Sequence, residues 1–457
     1  MSKKWSRRDF LKTSALFSTG ALLAACAPAA TTQPPAAATE APKATVPPAG
    51  KKKIVFSTYV WSNLEASMTE ILNGWVAATP NVEYEGQFVP QTIDYWAKVQ
   101  TQVAGGTPPD CGIAECQRFV SYAKNGTIMD ISNYIMSTKF PVDKEFPGAI
   151  ACYRWAKGDF NSGAEGGNYY GLPSDFQAYI FAYNKKMFDD AGVSYPTDDW
   201  TWDDMLAAAK KITKADQNKW GIMALQGGTL YRGNFVWSSG GSFYTPDYTK
   251  SMLADPKTIE AFKWQWDLIY THKVAPPPGS TGQQDPFLSG QVAMTVGGIW
   301  GLTDMRSIKD FGWDVAIFPK HPQTGKRTCS MEADGWWIYK DAKDPDTAWN
   351  LLNYLANPAG ERLFVKANDM VPSTFPEVAQ EWYATKPPDH MSKILDNINQ
   401  DSAKVAYTYF ESGTVMNAFG PIIDKAFADG TDITAAMQDA DKVMTEELTK
   451  AWALFKS

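Results

Sequence analysis

The chain has 457 residues, of which 43 are Lys or Arg and 50 are Asp or Glu, so its formal net charge at neutral pH is −7. An acidic balance argues against nucleic-acid binding, which normally relies on a basic surface. The chain also contains 18 Trp, 20 Tyr and 23 Phe. This wealth of aromatic side chains is the main compositional indication of a ligand.

The first 25 residues have the pattern of a signal peptide. Basic residues cluster near the start, and the apolar stretch 15–25 that follows is too short to span a bilayer. Ser6–Lys12 resembles a twin-arginine export signal, and Leu22–Cys26 resembles a bacterial lipobox, which is cut before a cysteine whose sulfur is then lipidated. We therefore predict a signal peptide over 1–25, lipidation at Cys26 and a position on the outer face of the cytoplasmic membrane. An ordinary secretory signal with a chance cysteine is the alternative.

Residues 26–50 are rich in Ala, Pro and Thr and lack an apolar period, so they are predicted to form an extended tether. No later segment has 18 consecutive apolar residues, and the body from residue 51 is expected to be soluble. Removal of residues 1–25 leaves 38 basic and 49 acidic side chains, a balance of −11. The body has too few cysteines for a disulfide scaffold, and both one or two bridges and buried free thiols stay open. These cysteines are Cys111, Cys116, Cys152 and Cys329.

Strand and helix patterns alternate through the first part of the body. The β-branched run Lys53–Phe56 predicts a strand, and apolar residues at helical spacing over 64–76 predict a helix. Another strand begins at Val82, and a third unit covers 95–103 before the turn at 105–110. This βαβα order predicts a mainly parallel, doubly wound sheet flanked by helices. Because the body exceeds the size of a typical single core, we expect two such α/β lobes.

Three helices are readable further along the chain. Thr201 can cap a helix that has Asp204 at its third position. Apolar residues over 348–355 predict a buried helix, and those over 437–455 lie on one face of a final helix. No internal repeat is present.

Several motifs follow one another in a fixed order along the body. The first are Gly171–Gln177 and Phe181–Lys185, followed by Phe188–Gly192. The others are Asn81–Val82 with Thr107–Asp110, Phe287–Trp300, and Glu332–Ile338 with Asp346–Leu355. In order and spacing these motifs resemble those of family 1 extracellular solute-binding proteins, the sugar-binding lipoproteins of bacterial ABC importers, and the resemblance covers nearly all of residues 51–457.

The resemblance implies a two-lobed periplasmic-binding-protein fold with a hinge and an interlobe cleft. Lobe one is expected over 51–175 plus 338–385, and lobe two over 182–332 plus 386–457. The hinges are expected near 176–181 and 333–338. The ligand is then clamped in the cleft and passed unchanged to the transmembrane subunits of a permease. This implies a monomer that captures a mono- or oligosaccharide, with no enzyme activity, no cofactor and no metal.

The family places its ligand contacts at strand ends and loops. Aromatic rings can cover the apolar faces of a sugar, while carboxylates, amides and Arg can pair with its hydroxyl groups. A single Trp is nevertheless more often a core residue, and Trp336 and Trp337 point to opposite faces of a strand, so at most one faces the cleft. The candidates are Tyr59, Trp61, Glu115, Gln117, Arg118, Asp175, Gln177, Tyr231, Asn234, Trp237, Trp300, Asp334 and Trp336.

Other functions stay open at this level. A polyol, a polyamine or another small solute could replace the sugar, and carboxylates with tryptophans suit a cation well. An anionic ligand is disfavoured, because Arg118 is the only basic candidate. A lipid-anchored glycoside hydrolase could use Glu115 and Asp175 as its two carboxylates, although nothing in their local sequence favours that. A structural adhesin would need no cleft. Three histidines without a His-Glu-x-x-His pattern give little support to metal catalysis.

Overall fold

The computed structural model describes residues 50–60, 64–90, 92–224, 229–281, 285–368, 371–398 and 414–456. The predicted signal peptide, Cys26 and nearly all of the predicted tether lie outside these ranges, as does Trp61. Among the helices of these ranges, none is long and apolar enough to cross a membrane.

Sheet one has five strands in the order β2–β1–β3–β11–β6. β1 runs parallel to β2 and β3, whereas β11 runs antiparallel to both of its neighbours. The strands are β1 (Lys52–Val60), β2 (Val82–Pro90), β3 (Cys111–Glu115), β6 (Leu172–Pro173) and β11 (Asp334–Ile338). A short separate hairpin pairs β4 (Arg154–Trp155) with β5 (Asn168–Tyr169).

The helices around sheet one bury apolar stripes against it. In α1, Leu64, Met68, Leu72 and Trp75 recur at helical spacing and all are buried. The helix that starts at Pro345 is capped by Asp344, whose side chain accepts a hydrogen bond from the Thr347 N–H. The helices before β4 are α1 (Leu64–Ala78), α2 (Thr92–Ala104), α3 (Cys116–Lys124), α4 (Ser132–Thr138) and α5 (Pro147–Ala151). Those that follow β11 are α11 (Pro345–Ala356), α12 (Pro358–Asn368) and α13 (Pro376–Tyr383).

Sheet two is built around the long strand β7. This strand runs antiparallel to the three strands that pair with it. From Ile180 to Tyr183 its side chains alternate between two cores: Ile180 and Ala182 join the core of sheet one, whereas Phe181 and Tyr183 join a second core. The strands are β7 (Gln177–Asn184), β8 (Met294–Gly298), β9 (Trp313–Ala316) and β10 (Met331–Glu332).

The second core is enclosed mainly by helices that pack against strands β7 and β8. The predicted cap of α7 is confirmed: the Thr201 hydroxyl accepts from the Asp204 N–H at 3.3 Å, and the Asp204 carboxylate accepts from the Thr201 N–H at 2.9 Å. These helices and those near β9 are α6 (Lys185–Asp190), α7 (Trp202–Ile212), α8 (Thr229–Ser239), α9 (Pro256–Tyr270) and α10 (Leu302–Arg306). The last three are α14 (Ser392–Ile398), α15 (Thr414–Asp429) and α16 (Ile433–Lys456).

Strand direction differs from the prediction of mainly parallel sheets. Only the two pairs that β1 makes are parallel in sheet one, and all pairs of named strands in sheet two are antiparallel. A parallel sheet needs each strand to return to the same edge through a crossover. Here the chain instead runs from β6 into β7 of sheet two and returns from β10 of sheet two into β11. These two crossings set the direction of β6 and β11.

The chain passes between the sheets at two adjacent places. Residues 174–176 link β6 to β7, and Ala333 alone links β10 to β11. The predicted hinge ranges, 176–181 and 333–338, begin at these crossings and continue into paired strands. Polar side chains that flank the crossings are therefore held close to both sheets.

Candidate ligand-binding site at the crossings between the sheets

Four acidic side chains gather where the chain crosses between the sheets. Glu115 ends β3 and stands opposite Asp334 in the sheet register. Asp175 lies in the first crossing, and Glu332 precedes the second. We call these four residues the carboxylate cluster.

Asp175 and Asp334 share one hydrogen-bond donor. The side-chain amide nitrogen of Gln177 donates to Asp175 Oδ1 at 2.9 Å and to Asp334 Oδ2 at 3.3 Å. The Asp334 N–H also donates to Asp175 Oδ1 at 3.2 Å. The Tyr59 hydroxyl, at the end of β1, donates to Asp334 Oδ2 at 2.8 Å. These bonds join the end of β1 in sheet one to the start of β7 in sheet two.

The other two carboxylates are bound by α3, which begins directly after β3. The Gln117 amide donates to Glu332 Oε2 at 2.9 Å. Arg118 Nε donates to Glu115 Oε2 at 2.9 Å, and its guanidinium carbon lies 4.6 Å from the centre of the Trp96 ring. This ion pair is only partly exposed.

Burial makes these carboxylates unusually weak acids. It raises the pKa of Asp175 to about 6. Burial, with the charges of Glu115 and Asp175, raises the pKa of Glu332 to about 7. Burial and the three neighbouring carboxylates hold the pKa of Asp334 well above its ordinary range. Burial also raises the pKa of Glu115, although Arg118 opposes this. The cluster is thus poised to gain from hydrogen-bond donors or from a cation.

Two tryptophans lie on the side of sheet two. The Trp300 ring meets Tyr179 edge-on with centroids 5.5 Å apart, and a Cβ at Gly298 would lie 2.2 Å from that ring. Trp237 likewise covers Gly233, where a Cβ would lie 2.7 Å from its ring. Each ring therefore occupies space that only a glycine leaves free. Both tryptophans are partly buried, and we call them the aromatic pair.

Strand register connects the aromatic pair to the carboxylate cluster. Glu332 is opposite Gln177, so Tyr179 and Ser330, two residues further along each strand, share their face of the sheet. The Ser330 hydroxyl would lie 3.2 Å from a Cβ at Gly233, the same glycine that Trp237 covers. Ser330, beside the glycine that Trp237 covers, and Tyr179, which meets Trp300, thus connect the aromatic pair to the carboxylate cluster.

Two candidates have structural roles instead. Trp336 is 2% exposed, and it packs against Phe56 in the core of sheet one, so it offers no open ring face. Trp337 is also buried, stacked on Tyr122 with centroids 5.0 Å apart, so neither neighbour faces an open cleft. Asn234 is fully buried, and its Oδ1 accepts from the Ser330 N–H at 2.6 Å.

Of the remaining candidates, the structure brings together Tyr59, Glu115, Gln117, Arg118, Asp175, Gln177 and Asp334, with Trp237 and Trp300 on the adjoining surface. Trp61 and the Tyr231 side chain lie outside the described residues. Sequence reasoning missed Glu332, Ser330 and Tyr179. A signal was present for two of them, because Ser330, Glu332 and Asp334 recur at every second position of an otherwise apolar strand segment.

In the described part of the chain, no three His, Cys, Asp or Glu side chains are grouped so as to hold a metal ion. The four body cysteines are free and buried, which answers the question that the sequence left open. Cys116 donates to the Ala333 carbonyl at 2.7 Å and so supports the second crossing.

The family model for bacterial extracellular solute-binding proteins matches residues 61–362. The chain therefore belongs to the bacterial extracellular solute-binding protein family, and it is an exported protein. This agrees with the family that the sequence motifs indicated.

The chain is also similar to individual proteins of known sequence or structure. A binding protein of Brucella abortus is 24% identical over 322 residues, which are 69% of this chain and 74% of that protein. The maltodextrin-binding protein of Bacillus subtilis is 25% identical over 276 residues, or 59% of this chain and 61% of that protein. The fold matches an ABC substrate-binding protein of Listeria monocytogenes solved with cycloalternan, with a TM-score of 0.77 and 24% identity, covering 87% of this chain and 99% of that one. The two-lobed α/β fold class is thereby confirmed.

Proposed function

We propose that this protein is the extracytoplasmic binding component of an ABC importer and that it captures a carbohydrate by closing two lobes over it. The observation that carries this proposal is the surface on which the carboxylate cluster adjoins the aromatic pair, at the crossings between the sheets. Relatives that bind maltodextrin or were solved with cycloalternan support the same class of ligand.

The two parts of the surface suit the two parts of a sugar. A pyranose has apolar C–H faces, which the Trp237 and Trp300 rings can cover. Its rim carries hydroxyl groups, which can donate to the carboxylates and exchange hydrogen bonds with Gln117 and Gln177. Hydrogen bonds to ionised carboxylates are stronger than neutral ones. The pairing of a flat apolar wall with a polar rim is what sugar recognition needs.

Closure follows from the position of the site. Tyr59 and Glu115 belong to sheet one, whereas Gln177, Glu332 and Trp300 belong to sheet two or follow its strands. A ligand that touches both groups favours the closed arrangement by the free energy of those joint contacts. The two crossings are the natural hinges, and the lobes expected at 51–175 plus 338–385 and 182–332 plus 386–457 are the moving parts.

The bound ligand is released to permease subunits chemically unchanged, so the carboxylates bind rather than catalyse. The protein acts as a monomer held on the outer face of the cytoplasmic membrane by a lipid on Cys26. Support for the anchor comes from the lipobox-like residues 22–26 and the Pro- and Ala-rich segment after them.

A ligand screen tests the proposal. The purified full-length protein is titrated by calorimetry with malto-, manno- and arabino-oligosaccharides, their monomers, polyols and spermidine. We expect at least one saccharide to bind and to raise the melting temperature, because a ligand that binds only the native state stabilises it. Chromatography should recover the saccharide intact. Binding of polyols or spermidine alone would contradict the carbohydrate proposal, and cleavage of the saccharide would contradict pure binding.

A further inference from the structure

The carboxylate cluster contains four acidic side chains, and a single basic side chain, Arg118, is paired with it in the described part of the chain. Arg118 is paired with Glu115 at 2.9 Å. In the part of the chain that the structure describes, the hydrogen bonds to Asp175, Glu332 and Asp334 come only from neutral donors: two side-chain amides, two hydroxyls and one backbone N–H. Asp175 and Glu332, which are buried, and Asp334, which is half-buried, thus lack a cationic partner among the described residues.

A second feature of the same surface also lacks a partner. The Ser330 hydroxyl is fully buried, and it has no hydrogen-bond partner among the described residues. It lies on the same face of the strand as Glu332 and beside Gly233, the glycine under the Trp237 ring. A buried hydroxyl without a partner is unfavourable. A ligand atom next to Glu332 would complete its bonding.

Charge decides which ligand fits best. A neutral sugar can satisfy carboxylate oxygens with its hydroxyls, but it leaves their mutual repulsion in place. An ammonium group donates three hydrogen bonds and also compensates the charge, which counts for more in a buried site than in water. Rings such as Trp237 and Trp300 attract cations as well as sugar faces.

We infer that the carboxylate cluster, with the Ser330 hydroxyl beside it, binds the ammonium group of an amino sugar. This inference rests on the proposed carbohydrate-binding function and names the class of its ligand. A polyamine could pair with the carboxylates and approach the rings as a cation, but it has no flat apolar ring face to lie against Trp237 and Trp300. The saccharide is therefore the better match to the whole surface.

A matched series of sugars tests the inference. Cellobiose, N,N′-diacetylchitobiose and unacetylated chitobiose share one linkage and differ in the group at C2, which is hydroxyl, acetamide or ammonium. Glucose and galactose are compared with their 2-acetamido and 2-amino forms in the same way. Calorimetry on the full-length protein at neutral pH should show the amine members binding about tenfold tighter or more than their neutral counterparts.

Variants link that preference to the cluster. Glu332→Gln keeps the size of the side chain and removes one charge, so it should reduce the preference for the amine about tenfold and change neutral-sugar affinity less. Asp334→Asn provides a second measurement. Glu70→Gln, on the exposed face of α1, is the matched control and should change neither affinity.

Each outcome decides between the two proposals. Neutral sugars that bind as tightly as their amine counterparts overturn the inference and leave the carbohydrate proposal standing. An amine preference that survives both substitutions shows that the cluster is not its cause and also overturns the inference. Failure of every saccharide, with or without a response to spermidine, overturns both proposals.

Discussion

The substitution Glu332→Gln should make the unliganded protein more stable at high pH. Burial, with neighbouring charges, raises the pKa of Glu332 from an ordinary value of 4.5 to about 7. A group with a raised pKa in the folded state contributes stability that is fully present below its unfolded pKa and is lost as pH rises through its folded pKa. The folded protein therefore loses stability as Glu332 ionises between about pH 4.5 and pH 7.

The size of the effect follows from the shift. At 1.36 kcal/mol per pKa unit, it corresponds to about 3 kcal/mol at pH 8. Glutamine cannot ionise, and its carbonyl oxygen can still accept the hydrogen bond from Gln117. The variant should thus exceed the natural protein by about 3 kcal/mol at pH 8 and match it near pH 4. Asp175 and Asp334, whose pKa values are also raised, keep part of the pH dependence in the variant.

Urea unfolding without ligand, measured at pH 4, 6 and 8, gives the free energies directly. Glu70→Gln, on the exposed face of α1, is the control and should follow the natural protein at every pH. A variant that is no more stable than the natural protein at pH 8 would refute the reasoning. So would a gain of equal size at all three values, because that would not arise from ionisation.

Three further predictions concern packing around the site. Gly298→Ala would place a Cβ 2.2 Å from the Trp300 ring, so displacement of the ring should weaken saccharide binding about tenfold in calorimetry; unchanged affinity would show that Trp300 makes no contact. Trp336→Ala should instead cost about 3–5 kcal/mol of unfolding free energy, because Trp336 is a core residue, whereas Trp300→Ala should cost less stability and more affinity. The buried thiol of Cys116, like the other three body thiols, should react with a thiol reagent only after denaturation; rapid reaction in the native protein would contradict its burial.

Local signals in the sequence predicted local structure well. The cap at Thr201 and the apolar face of α1 were readable because they depend on neighbours three or four positions away. The direction of β6 and β11 could not be predicted, because it depends on where the chain crosses from one sheet to the other. The periodicity of residues within a strand carries no information about those crossings.

The candidate site shows the same contrast between features that depend on local sequence and features that depend on contacts far apart in the chain. The ends of the predicted strands indicated Tyr59 and Glu115, since the parallel strands β1 and β3 bring their carboxyl ends to one edge. Asp334 reaches the same edge because it begins β11, which runs antiparallel to β3. Trp336 could not be separated from a ligand platform by sequence, because its burial depends on Phe56 and Phe364, far away along the chain. Glu332 has a sequence signal in its alternation with Ser330 and Asp334, but its pairing with Gln117 across the crossing is visible only in three dimensions.

A crystal structure with the saccharide selected by the screen tests the central claim most directly. We predict that its ring lies against Trp237 or Trp300, that its polar groups contact the carboxylate cluster, and that residues of both sheets touch it. A saccharide bound to one sheet alone, or at a surface away from the two crossings, would contradict the account.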